Sequence, residues 1–184
     1  MKTLLSCAVV LLLSCGSAAG QVVIQDVRWQ LALQLQKQKK EYHGLERWLF
    51  PPSQKWKMRT RAVVTLLNKG GKTGRAAVLR YAFSARLRRI GQEGEGAWTL
   101  PFILEERHVP LVRKDASVEV PVYPNRVEMD SYLRRVYAMG YWPDMLSVRV
   151  VLNPQPGETF DERVREKSLE IIWKTAPGSA EPHE

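Results

Sequence analysis

The chain has 184 residues and carries 28 Lys and Arg against 19 Asp and Glu, a formal net charge of +9. This length predicts one domain, since a domain of about 150 residues buries roughly 68–70% of its unfolded surface. Both cysteines, Cys7 and Cys15, lie within the first fifteen residues. A disulfide or thiolate metal site is therefore excluded from the rest of the chain.

The first twenty residues have the three parts of a secretory signal peptide. Lys2 supplies a positive charge, an apolar run follows from Leu4 to Leu13, and small residues occupy positions 14–20. The run is shorter than the about 20 residues that a membrane-spanning helix needs. We therefore expect an exported protein whose mature form lacks the leader.

Two cleavage sites fit this leader. Residues 12–15 (LLSC) resemble the lipobox of bacterial lipoproteins, which implies lipidation of Cys15 and a mature chain that begins there. Residues 17–19 (SAA) or 18–20 (AAG) instead fit an ordinary signal peptidase, which would leave Gly20 or Gln21 first. We favour lipidation of Cys15 and keep the unlipidated form as the alternative.

The mature chain opens with a pattern of period two. Apolar residues occupy the odd positions from Val27 to Leu35, and mostly polar residues occupy the even ones. This alternation predicts a long, half-buried strand. A polar connector follows at Lys37–Gln54.

The centre of the chain predicts a β-hairpin. Residues 58–66 and 77–88 both alternate, and a glycine-rich turn at 68–74 separates them. The register is well specified, because a slip of one residue would expose Tyr81 and Phe83 and bury Arg80.

Four more strands bring the predicted total to about seven. They are Trp98–Leu104, Val118–Tyr123, Leu146–Leu152 and Leu169–Trp173. The polar tail at 176–184 is predicted to be disordered.

One segment changes to a helical period. Asn125 is the expected N-cap, with Glu128 three residues later. An apolar face at positions 129, 133, 136 and 137 follows, and Gly140 is the expected C-terminal cap.

These elements predict a mainly β fold, an antiparallel β-sandwich of about seven strands with one crossover α-helix, in a single domain over residues 21–175. The strand–turn–strand segment Val63–Leu87 resembles Ig-like extracellular and periplasmic β-sandwich modules. The resemblance implies an Ig-like architecture only, because a shared fold does not carry function.

Sequence motifs for catalysis and cofactor binding fail on spacing or context. The loop at 70–73 (GGKT) lacks the earlier glycine of a phosphate-binding loop and leads into a strand. The three histidines, His43, His108 and His183, are too scattered for a metal site. We expect neither metal nor cofactor and no enzymatic activity. A glycan hydrolase using Glu105 or Glu106 with Glu119 or Asp130 is the remaining catalytic alternative.

Five arginines form the first candidate binding site. If 58–66 and 77–88 pair as a hairpin, the following side chains share its polar face, with no acid between them: Arg59, Arg61, Arg80, Arg86 and Arg88. Such a face predicts binding to an anion. Outside the cytoplasm this would be an anionic envelope polymer or lipid surface, and nucleic acid is not expected.

Tyr141 and Trp142 form the second candidate site. They follow the predicted helix in a turn, and aromatic anchors beside turns are frequent in protein-binding surfaces. The alternative is that they close the end of the sandwich, in which case Trp142 would be shielded from solvent.

The combined prediction is an exported, noncatalytic cell-envelope protein that binds a partner or scaffolds an assembly. Lipid on Cys15 would tether it to a membrane. A soluble periplasmic carrier or chaperone is the alternative, and it would require an apolar cavity or an exposed strand edge. The partner's identity and the oligomeric state are left open.

Overall fold

The computed structural model describes residues 20–33, 41–52, 59–74, 77–153 and 160–173. Apart from Gly20, the predicted signal peptide with Cys7 and Cys15 lies outside these residues, and so does the predicted disordered tail at 176–184.

Within the described residues the chain forms ten strands and one helix. The strands are β1 (Val22–Leu33), β2 (Glu41–Gly44), β3 (Arg47–Leu49), β4 (Arg59–Asn68), β5 (Ala77–Arg89), β6 (Ala97–Trp98), β7 (Ile103–Val109), β8 (Ser117–Val122), β9 (Tyr141–Leu152) and β10 (Val164–Ile172). The helix α1 spans Arg126–Ala138. The predicted mainly β fold is confirmed, but the number of strands was underestimated. Three of the strands have only two to four residues and give no periodic pattern.

The strands form two sheets. The four-stranded sheet has the order β2-β1-β4-β8, and the six-stranded sheet has the order β3-β10-β9-β5-β6, with β7 also paired to β5. Every pairing is antiparallel except that of β3 with β10. The 13-residue β5 organises the second sheet, because β9 pairs along one side while β6 and β7 share the other.

The predicted hairpin between the two central strands is wrong. Both strands exist, but β4 lies in the four-stranded sheet and β5 in the six-stranded sheet. The inward positions of β5 are buried as predicted, including Leu79, Tyr81 and Phe83. Alternation reports only which side of a strand faces the core. It fits two strands opposed across a core as well as two strands paired in one sheet.

The two sheets enclose one apolar core. Trp29 of β1 contacts Phe83 of β5, with ring centroids 5.8 Å apart. The Trp29 indole Nε1 also donates a hydrogen bond to the Lys167 carbonyl of β10 at 3.0 Å. One side chain of the four-stranded sheet is thus packed against, and hydrogen bonded to, the six-stranded sheet.

The predicted helix is confirmed together with both caps. The Asn125 side chain accepts hydrogen bonds from the backbone N–H groups of Val127 and Glu128. Gly140 follows the helix with φ +79°, a conformation that glycine adopts without a steric penalty. Helix α1 connects β8 of one sheet to β9 of the other.

The strand directions define two ends of the molecule. At the N-terminal end, Gly20 forms a bridge with Gly74 and lies beside the turn at 68–74. At the opposite end, which we call the helix end, Arg89 of β5 is paired with Tyr141 at the start of β9, directly after α1.

Candidate functional site

The five predicted anion-binding arginines do not share one face. Arg61 belongs to β4 in the four-stranded sheet, whereas Arg80, Arg86 and Arg88 belong to β5 in the six-stranded sheet. Arg59 is the first residue of β4, and its side chain lies outside the described part of the structure. The predicted common face fails because it depended on the hairpin.

Acidic residues from neighbouring strands bind two of these arginines. Arg80 Nε contacts Glu106 Oε1 of β7 at 2.6 Å. Arg86 Nε donates to Asp144 Oδ1 of β9 at 2.9 Å, and its Nη1 lies 3.5 Å from Glu95 Oε2. The prediction that no acid is interleaved was therefore wrong, because the acids come from β7, β9 and a loop.

Asp144 is the most enclosed of these acids. Its side chain is only 7% exposed, and Oδ2 also accepts the Gly96 backbone N–H at 3.3 Å. The hydrogen bond with Asp144 raises the pKa of Arg86 above its ordinary value. The Arg86–Asp144 pair therefore attaches the loop after β5 to β9. Arg86 remains charged in this contact.

Arg61 and Arg88 each lie against aromatic rings. The Arg61 guanidinium is 3.4 Å from the centroid of the Tyr42 ring, and its Nε donates to Gln30 Oε1 at 2.8 Å. The Arg88 guanidinium is 4.3 Å from the centroid of the Trp173 ring. Both contacts have the geometry of cation–π interactions. They occupy guanidinium faces that an external ligand would otherwise use.

Trp142 packs in the core, as the alternative for this pair predicted. It is 1% exposed, and its Nε1 donates to the Phe50 carbonyl at 2.9 Å. Its ring contacts Phe50 and Tyr137 at centroid distances of 5.1 Å and 6.0 Å. Tyr141 is 40% exposed, and it begins β9 rather than lying in a turn.

Several segments at the helix end carry exposed apolar side chains. We call this set the helix-end surface: Ile90, Trp98, Leu100, Tyr137, Met139 and Tyr141. The Ile90 N–H donates to the Gly140 carbonyl at 2.9 Å, which joins the loop after β5 to the end of α1. Leu100 and Met139 are 86% and 64% exposed. Tyr141 is the member of this set that was predicted as a binding residue from the sequence. The other members lie in three separate segments, so no local pattern joins them.

A groove of about 500 Å³ lies over the outer face of the six-stranded sheet. Ala82, Leu104 and Val151 form its apolar part, and Leu104 is 75% exposed. Two lining arginines, Arg80 and Arg149, are each bound by a glutamate from an adjacent strand.

The carboxylates considered for glycan hydrolysis are divided between the two sheets or bound to neighbours. Glu105 accepts a hydrogen bond from the Tyr81 hydroxyl, while Glu106 binds Arg80 on the opposite face of β7. The pKa of Tyr81 lies above its usual range, chiefly because the hydroxyl is buried and also because it is hydrogen bonded to Glu105. Glu119 binds Arg28 on the four-stranded sheet.

Over the described ranges, no group of three or more His, Cys, Asp or Glu residues could hold a metal ion.

Comparison with known proteins gives no family assignment. No family model matches the chain, and a search of curated proteins finds no match. In the described part of the chain, no helix has the length and apolar character needed to cross a membrane.

Proposed function

We propose that this protein is an exported, noncatalytic binding or scaffolding module of the cell envelope, tethered to a membrane by lipid on Cys15. The leader supports export, since it combines Lys2, the apolar run from Leu4 to Leu13 and a small-residue segment. The lipobox-like residues 12–15 support the tether. The two packed sheets are compatible with an Ig-like β-sandwich, an architecture that presents binding surfaces at its ends.

The observation that carries the binding role is the helix-end surface. Large exposed apolar patches usually mark interaction sites, and six large apolar side chains are exposed on the segments at this end. Trp98 and Tyr141 add aromatic anchors of the type enriched in binding hot spots. The partner best suited to this surface is another envelope protein with an apolar patch of its own.

The position of the N-terminus supports the same arrangement. Gly20 lies at the end opposite to the helix-end surface. A chain attached through Cys15 would therefore hold its N-terminal end nearest the membrane and present the helix-end surface away from it. This orientation leaves the binding surface open to a partner in the surrounding compartment.

A noncatalytic role is supported by the contacts that acidic side chains make within the six-stranded sheet. Asp144, Glu105 and Glu106 each bind a side chain that belongs to the same sheet. Each of these contacts stabilises the β-structure and leaves the carboxylate poorly placed for acid or base chemistry on a ligand.

The intact mass of the protein, purified with detergent from its native host, tests the tether. A chain that begins at Cys15 and is heavier by two or three acyl groups is expected. A chain that begins at Gly20 or Gln21 without added mass would contradict the tether.

Photo-crosslinking in living cells tests the binding surface. A photoreactive amino acid at Tyr141 should yield a discrete crosslinked product. The same amino acid at Ser117, which is exposed at the N-terminal end, is the matched control. Equal crosslinking at the two positions would contradict a partner site at the helix end.

A soluble carrier is the second candidate, and the groove beside Leu104 is the observation that favours it. A carrier should bind an apolar fluorescent dye at this groove, and Leu104→Arg should abolish that binding. Retention of dye binding by Leu104→Arg would argue against the groove as a carrier site.

A further inference from the structure

A second exposed surface lies at the N-terminal end and is basic. We call it the basic surface: Lys69, Lys72, Leu111, Arg113 and Lys114. All five side chains are exposed, and Leu111 is 65% exposed. An apolar tip among cations is a combination found where proteins meet membrane surfaces.

A buried asparagine holds this surface together. Asn68 is fully buried, and its Nδ2 lies 2.8 Å from the Lys72 carbonyl and 3.2 Å from the Arg113 carbonyl. Its Oδ1 accepts the Gly70 backbone N–H at 2.9 Å. Two loops that are about forty residues apart in the chain are thus held against one amide. The positions of Lys72 and Arg113 are consequently set by the fold.

The chain enters the domain directly beside this surface. A Cβ atom on Gly20 would lie 2.5 Å from the Lys72 carbonyl oxygen, so the backbones of these two residues are in close contact. The Gln21 carbonyl accepts the Lys69 backbone N–H at 2.8 Å. Gly20 follows Cys15 by five residues, which allows a reach of at most about 18 Å.

Two of the cations have no acidic partner in the part of the chain that the structure describes. Among the described residues, neither Lys72 nor Arg113 takes part in an ion pair. Lys69 pairs with Glu162 at 3.2 Å, and Lys114 lies 3.9 Å from Asp115. Those pairs are solvent-exposed and therefore weak. Within the described residues, the unpaired positive charge of the basic surface thus lies on Lys72 and Arg113, next to the entry of the chain.

We propose that the basic surface contacts the anionic lipid headgroups of the membrane that holds the tether. This proposal rests on the proposed function, since the tether places the N-terminal end within reach of the bilayer. Lys72 and Arg113 would bind lipid phosphates, and Leu111 would enter the headgroup region. The contacts orient the domain, so that the helix-end surface faces away from the bilayer.

The test measures the distance of two labelled positions from the membrane. The mature protein is incubated with phosphatidylcholine vesicles with or without phosphatidylglycerol, and the quenching of a fluorophore by a quencher at the depth of the lipid headgroups is recorded. The fluorophore is placed at Thr73→Cys, beside Lys72, or at Gln92→Cys, which is exposed in the loop at the helix end. We expect quenching at position 73 alone, only with phosphatidylglycerol, and a decrease as salt is raised.

Charge reversal completes the test. Lys72→Glu with Arg113→Glu should lower the equilibrium constant for contact of the labelled end with the anionic vesicles by more than about thirtyfold, the loss that removing the two cations alone would give at about 1 kcal/mol each. Arg89→Glu with Arg126→Glu changes the net charge equally at the helix end and should have no effect. Thermal unfolding verifies that each variant is folded, and the milder Lys72→Gln with Arg113→Gln should show an intermediate loss.

The outcomes separate this proposal from the tether itself. Equal quenching at positions 73 and 92, or quenching unaffected by the Lys72 and Arg113 variants, overturns the basic surface as the lipid contact. The intact mass of the same sample reports lipidation independently. A lipidated protein without selective quenching therefore contradicts only the present inference. An unlipidated protein that shows selective quenching supports it and contradicts only the tether.

Discussion

Arg86 of β5 and Asp144 of β9 form an ion pair, with Nε and Oδ1 2.9 Å apart, at the point where the register between the two strands shifts. Arg86 is paired with Met145, and the next residue of β5 is paired with Pro143, so Asp144 is the extra residue of a β-bulge. The bulge aims the Asp144 carboxylate at both Arg86 and the Gly96 N–H. The loop that carries much of the helix-end surface is held through this contact.

We expect Asp144→Ala to destabilise the protein by about 2–4 kcal/mol. The variant leaves Arg86, whose side chain is 18% exposed, without its main partner, and breaking a largely buried pair is costly. Glu95→Ala is the control, because the Glu95 side chain is 86% exposed and its contact with Arg86 should contribute less than about 1 kcal/mol. Urea unfolding measures both variants. A similar cost for the two would show that Asp144 is not the main anchor.

We expect Trp29→Phe to lower the free energy of unfolding by about 1–3 kcal/mol, because it leaves the partly buried Lys167 carbonyl without the indole donor that joins the sheets. Trp98→Phe makes the same change at a residue that is 49% exposed, and its effect should stay within about 0.5 kcal/mol. Equal effects in chemical unfolding would contradict the bridging role of Trp29.

We expect Asn68→Asp to destabilise the protein at neutral pH at least as much as Asn68→Ala. The aspartate has nearly the same shape, but it places oxygen lone pairs against the Lys72 and Val112 carbonyls where the amide donates. The cost of losing these buried hydrogen bonds is about 1–3 kcal/mol. Hydrogen exchange should accelerate at the Gly70 amide in Asn68→Ala. Unchanged exchange there would show that Asn68 does not hold the loop.

Glu166 gives a pH dependence with a defined sign. The hydrogen bond from Ser147 at 2.6 Å, followed by the Arg149 contacts, holds the pKa of Glu166 below its ordinary value of 4.5. A carboxyl with a lowered folded-state pKa stabilises the fold fully above its unfolded value and loses this contribution as the pH falls through the folded value. The difference in unfolding free energy between the natural protein and Glu166→Gln should therefore be largest near neutral pH and shrink below pH 4.5.

Ser147→Ala should remove the largest part of this pH dependence, because it deletes the strongest contact with Glu166. Urea unfolding at several pH values measures both variants. A difference between the natural protein and Glu166→Gln that stays constant over this range would contradict the assignment.

The local elements were predictable because their signals lie in adjacent residues. The cap at Asn125, the apolar face of α1 and the glycine after it all occur within sixteen residues. The inward positions of β5 follow from alternation alone. Trp142 is different, because the sequence left open whether it is exposed, and only its contacts with Phe50 and Tyr137 decide that it packs in the core.

The candidate sites depend on contacts between residues that are distant in the chain, and these contacts could not be predicted from the sequence. The arginine face assumed that β4 and β5 pair, whereas they lie in different sheets. The basic surface was missed because Lys72 and Arg113 are far apart in the chain and are brought together by tertiary contacts, among them those of Asn68. The helix-end surface was missed for the same reason, since its members come from three segments.

By itself, the sequence determined the mainly β character, the helix α1 with both caps, the inward positions of β4, β5 and the second half of β1, and the pattern of a leader. Each of these follows from the covalent spacing of neighbouring side chains, which sets the period of burial. The tertiary structure alone decided which strands pair, which acid meets each arginine, and which end of the domain carries Gly20. Those contacts join residues that are far apart in the chain, and they are selected by how the two sheets pack around one core.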